Sequence, residues 1–122
     1  MNMKTSELIG PALDWAVAKC EGVTVEYIND GITKCLLCNP SGRYAPSINW
    51  SQAGPIIERE GISMRFSPKD SRGNWFAVLG PNRFLSPDFE GFGPTPLIAA
   101  MRCYVASKLG DEVDVPNELS LT

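Results

Sequence analysis

The sequence predicts an α+β fold: one antiparallel sheet of two hairpins packed against two main helices plus one short helix. Three observations lead there. Two turn clusters, Asn29-Asp30-Gly31 and Lys69-Asp70-Ser71-Arg72-Gly73-Asn74, each separate runs rich in β-branched and aromatic residues. Apolar side chains recur at helical spacing over Leu13, Ala16, Val17 and Cys20, and again over Leu97, Met101, Val105 and Leu109. Gly-Pro stands before a helix-like run at Gly10-Pro11, Gly54-Pro55 and Gly93-Pro94. With 122 residues, 43% of them hydrophobic and 20% charged, the chain suits a single domain, 1–122, whose core needs neither metal nor disulfides.

The first helix falls within 5–22. Thr5 or Ser6 is a candidate cap, Pro11 starts or restarts the helix, and Gly22 stops it. Asp14 and Lys19 lie off its apolar stripe. Val23 to Ile28 and Ile32 to Leu37 form the first hairpin around Asn29-Asp30-Gly31. Residues 39–49 carry Pro40, Gly42 and Pro46 and read as a loop. The short helix begins at Gly54-Pro55 and ends at Gly61. Ile62 to Phe66 and Trp75 to Leu79 form the second hairpin. Residues 80–94 read as a long ordered loop holding Arg83, Phe84, Phe89 and Phe92. Thr95 caps the last helix, Pro96 opens it and Gly110 closes it. On that helix Tyr104 reads as packing and Arg102 as surface. Residues 110–122 read as an acidic C-terminal arm with mobile last residues. A lone hairpin is marginal, so the two are expected in one sheet.

Charge and composition narrow the function. Fourteen acidic residues against eleven basic ones leave a net charge of −3, which disfavours nucleic acid as a partner. The chain has no histidine, so His-ligated zinc and nucleophiles that use a histidine base are excluded. No cofactor and no catalytic residue is expected. Cys20, Cys35, Cys38 and Cys103 read as reduced, buried thiols. Cys35 and Cys38 stand three apart on a strand, so they face opposite ways and make a poor metal knuckle. The opening residues lack the apolar region of a signal peptide, and no stretch is long enough to span a bilayer.

The candidate binding residues follow from the Gly-Pro steps. A helix entrance offers unpaired N–H groups and a partial positive charge to an anion. Trp50 is placed to stack on a base, with the Gly54 and Ile56 amides taking a phosphate. Arg43, Arg59 and Arg65 add charge. Phe92 and Thr95 stand at the second candidate entrance, as lid or rim. The competing reading is structural: Trp50 anchors its loop to the core, and the phenylalanines tuck beneath theirs.

Four blocks are similar to a known family. They are Leu13-Asp14-Trp15-Ala16-Val17-Ala18-Lys19; Trp50 with Gly54-Pro55-Ile56-Ile57-Glu58-Arg59-Glu60; Gly93-Pro94-Thr95-Pro96-Leu97-Ile98-Ala99-Ala100-Met101-Arg102; and Gly110-Asp111-Glu112-Val113. In this order they resemble the NinX-like family of small tailed-phage accessory proteins. Members of that family usually carry an acidic residue just before the tryptophan, where Asn49 stands here. The resemblance implies a phage product made in the bacterial host cytoplasm and implies no agreed activity. By analogy with other phage accessory proteins, the leading expectation is a non-enzymatic protein that sequesters a small anionic nucleotide-like ligand, such as a host defence signal. A homo-oligomer is expected. The alternative is a protein-interaction module that inhibits or redirects a host factor, and a histidine-free enzyme comes third.

Overall fold

Helix α3, Pro96–Leu109, runs through the centre of the protein. Every residue from Leu97 to Val105 is buried, so it carries no polar face along that length and must be covered on several sides. A computed structural model describes residues 1–38, 42–81 and 87–120. Around α3 come β1 (Asn2–Lys4), a 3-10 turn (Thr5–Glu7), α1 (Gly10–Glu21), β2 (Glu26–Asn29), β3 (Lys34–Cys38) and β4 (Gly42–Arg43). Then follow α2 (Trp50–Glu60), β5 (Ser63–Phe66), β6 (Trp75–Leu79), β7 (Phe89–Gly93), β8 (Glu112–Asp114) and α4 (Asn117–Ser120).

The α+β class holds, and both expected hairpins are present. They do not share a sheet. β2-β3-β4 and β5-β6-β7 are separate three-stranded antiparallel sheets, and β1-β8 is a third, two-stranded one. Each hairpin gains its third strand locally and packs on helices, which removes the need to pair with the other. β7 arises within the segment expected as a loop. Its Gly91 and Gly93 lower strand propensity, but α3 demands them. A Cβ on Gly91 would lie 2.6 Å from the Cys103 backbone nitrogen, and one on Gly93 would lie 2.9 Å from that of Ala99. Arg83 and Phe84 lie outside the described residues, as does Pro40.

The C-terminal segment, expected as an acidic arm, keeps its carboxylates outside but is paired and anchored. Asn2, Met3 and Lys4 register against Asp114, Val113 and Glu112. Val113, Val115 and Leu119 are buried in the core. The N-terminal ammonium donates to Asp114 Oδ1 at 2.9 Å and to the Val115 carbonyl at 3.0 Å. Local punctuation acts as expected elsewhere. Gly22 is left-handed at the end of α1 (φ 70°), and the Thr95 side chain accepts from the Ile98 N–H at 3.2 Å.

Candidate functional site

The segment before α2 decides how Trp50 is presented. α2 begins at Trp50, four residues ahead of Gly54, because Asn49 caps it. Asn49 Oδ1 accepts from the Ser51 N–H at 2.9 Å and from its hydroxyl at 2.6 Å. An aspartate at this position would cap the helix in the same way. Pro55 therefore sits inside the helix. Its missing N–H leaves the Ser51 carbonyl without its helical donor, which is tolerable because Ser51 and Pro55 both face solvent. This corrects the expected anion cradle: Gly54 and Ile56 lie in mid-helix, where amides are committed to the helix ladder, and Ile56 is buried.

Residues 43–49 are held on both sides. The Tyr44 N–H donates to the Leu36 carbonyl at 2.8 Å, and the Ala45 N–H to Gln52 Oε1 at 2.7 Å. Gln52 Nε2 returns a bond to the Arg43 carbonyl at 2.8 Å. The Ser47 N–H donates to Asp14 Oδ1 at 2.8 Å. Asp14, expected off the packed stripe of α1, is only 5% exposed. Burial pushes its pKa up to about 6, against the Ser47 hydrogen bonds and the Arg43 charge, which pull it down.

On this fixed segment Ile48 is 64% exposed and Trp50 54%. They line a shallow cleft of about 220 Å³ with Ser47, Thr95, Pro96 and Leu97. The start of α2 and the start of α3 thus face one another across one concavity. Trp50 and Thr95 are brought together there, whereas Arg43 is exposed on β4 and does not line the cleft.

The other expected residues are dispersed. Arg59 sits at the far end of α2. Its Nη1 and Nη2 donate to Glu21 at 3.0 and 2.6 Å, and its Nε donates to Glu60 at 2.9 Å. The Tyr104 hydroxyl also donates to Glu21. Arg59 holds the Glu21 carboxyl below its ordinary range, with burial opposing and Tyr104 assisting. This clamp joins the ends of α1 and α2 to Tyr104 on α3 and leaves Arg59 no role at the cleft. Arg65 stands on β5, registered against Phe76. Phe92 stacks on Phe76 at 4.7 Å, and the Arg72 guanidinium lies 3.8 Å from its ring centre. Sequence reasoning missed Ile48 and Asp14. The available signal was an apolar residue standing beside a tryptophan in a polar loop.

Fold and site define a small α+β protein that displays an apolar, aromatic-edged cleft on a preorganised segment. The family model described as bacteriophage P22 NinX matches residues 4–108, and the chain belongs to that phage family. No curated protein matches the chain. No helix among the described residues is long and apolar enough to cross a membrane.

Proposed function

We propose that this phage protein is a non-enzymatic interaction module whose Ile48–Trp50 cleft seats an apolar or aromatic side chain of a partner protein. The observation that carries the reading is the exposure of both side chains on backbone fixed by Asp14, Asn49 and Gln52. Rigid aromatic anchors in shallow pockets are what binding hot spots are built from, because little ordering remains to be done on docking. For a phage product the partner of choice is a host protein, inhibited or redirected by the docked chain. Among the described basic residues, Arg59 is committed elsewhere, which favours a protein partner over a multiply charged ligand.

The test is quantitative capture from host lysate by the wild-type chain and by the double variant Ile48→Asn, Trp50→Ser. Both positions are exposed, so the variant should melt like the wild type. A host protein held in stoichiometric amount, with retention reduced at least about tenfold in the variant, supports the reading. Equal capture by both proteins refutes it. If light scattering instead shows a wild-type oligomer that the variant loses, the partner is a second copy.

One observation favours a second reading, sequestration of a small nucleotide-like anion. The exposed indole and the capped start of α3 share the cleft, so a base could stack on Trp50 with one phosphate at the first turn of α3. Heating purified protein and analysing the supernatant separates the two. An intact nucleotide in stoichiometric amount supports sequestration, and an altered one points to an enzyme.

A further inference from the structure

A second concavity, about 260 Å³, opens between the 3-10 turn, β7, the later half of α3 and β8. It shares no lining residue with the Trp50 cleft. Its distinctive group is Arg102, which sequence patterning placed on the surface. Arg102 is 9% exposed. Its Nε donates to the Leu8 carbonyl and its Nη1 to the Phe92 carbonyl, both at 2.8 Å. These bonds fix the guanidinium plane and engage two of its five N–H groups.

The charge is not balanced where it lies. None of the ion pairs among the described residues includes Arg102. Glu7 acts on it only at longer range, and desolvation lowers its pKa. A nearly buried guanidinium without a carboxylate is costly and is ordinarily paired. The cavity beside it supplies room for that missing anion.

The rest of the lining sets the ligand's character. Lys4 adds a second cation, while Glu90, Asp111 and Glu112 add three carboxylates, leaving one net negative charge. A multiply charged phosphate would meet those carboxylates unfavourably. A molecule with a carboxylate at one end and an ammonium at the other meets both sets. Gly91, Phe92 and Ala106 also line the pocket and carry no charge. The volume falls below the roughly 300 Å³ at which drug-sized pockets begin and suits a ligand of amino-acid size.

We propose that this pocket binds a small zwitterion of the α-amino-acid class, its carboxylate on Arg102 and its ammonium among Glu90, Asp111 and Glu112. The guanidinium edge recognises the carboxylate as a planar fork, and Lys4 adds attraction at the mouth. The site is independent of the partner-docking reading, since it uses neither Ile48 nor Trp50.

The test follows backbone amide shifts of the full chain during titration with four probes: L-leucine, 4-methylpentanoate, 3-methylbutylamine and inorganic phosphate. L-Leucine should shift the Gly91, Phe92 and Arg102 amides saturably and bind tightest of the four. Arg102→Lys should weaken leucine binding about tenfold, since it keeps charge but loses the fork. The surface double variant Glu90→Gln, Glu112→Gln should weaken leucine severalfold and leave 4-methylpentanoate unweakened. It keeps the proposal testable if Arg102→Lys does not fold. Silence at these amides with every probe overturns the site. Phosphate binding more tightly than leucine overturns the ligand class. A carboxylate-only probe matching leucine overturns the role given to the three carboxylates.

Discussion

Asp14→Asn should flatten the pH dependence of stability, and the size of the effect follows from the site. Asp14 is buried in α1 and faces Ser47, Arg43 and Tyr44. Desolvation lifts its pKa from 3.8 to about 6. A carboxyl with a folded pKa above its unfolded value binds its proton more tightly in the folded state. Its contribution is therefore full below the unfolded pKa and is lost as pH rises through the folded one. A rise of about two units corresponds to about 3 kcal/mol between those limits. Glu21, Asp30 and Asp70 have lowered values and act oppositely, but below the ordinary carboxylate range. Between about pH 4.5 and pH 7.5, Asp14 should dominate. Urea unfolding followed by tryptophan fluorescence should show wild-type stability falling by about 2 kcal/mol across that window, the remainder having been lost below about pH 4.5. Asparagine keeps an acceptor for the Ser47 N–H and has no charge to desolvate. The variant should hold level and should equal or exceed the wild type at about pH 7.5. Stability that climbs in parallel for both proteins would show that the carboxylate is not the strained group inferred here.

Three further outcomes test the packing. Gly91→Ala should cost at least about 3 kcal/mol and lower the melting temperature by about 10 °C or more, read by calorimetry, because its Cβ meets the α3 backbone rather than a movable side chain. Asn49→Ala should cost about 1 kcal/mol in denaturant unfolding, through the Ser51 N–H it leaves uncapped. Deleting residues 111–122 should leave a chain that fails to give a cooperative melt, since it removes three buried aliphatic anchors worth roughly 1.5–3 kcal/mol each and unpairs β1. A removable arm would instead melt unchanged.

What could be read from the sequence was local, and what was missed depended on distant partners. Gly22, Thr95 and Gly110 end or begin helices through bonds to residues within a turn, so their spelling is enough. The hairpin turns carry their own acceptors, as when Asp30 Oδ1 takes the Ile32 and Thr33 N–H groups. Gly54-Pro55 misled because the same dipeptide fits a helix start and an exposed helix interior. The deciding residue was the Asn49 cap, five positions earlier. β7 was hidden because Gly91 and Gly93 look like loop residues until α3 is laid against them. β1 and β8 are three-residue strands at opposite ends of the chain, and neither has a local signal. Arg102 reads as surface by type, and its burial makes sense only once the Leu8 and Phe92 carbonyls are seen beside it.

The cleft's claim to function rests on two unfavourable features occurring together. A carboxylate sits in the interior and holds a turn, and that turn and the helix start behind it display an isoleucine and a tryptophan to water. Leaving two large apolar side chains exposed forgoes roughly 1.5–3 kcal/mol each relative to full burial. A connection selected only to join β4 to α2 would favour polar residues at 48 and 50 and an apolar one at 14. Isolated exposed side chains elsewhere carry no such argument: Ile32 lies at a hairpin tip, and Phe66 rests on Trp75 with ring centres 5.2 Å apart. At 43–49 the backbone is fixed by side chains from α1 and α2, so the exposure is not a product of loose packing. A rigid segment that breaks local rules in this way is what the proposed docking role requires, and folding alone gives no reason for it.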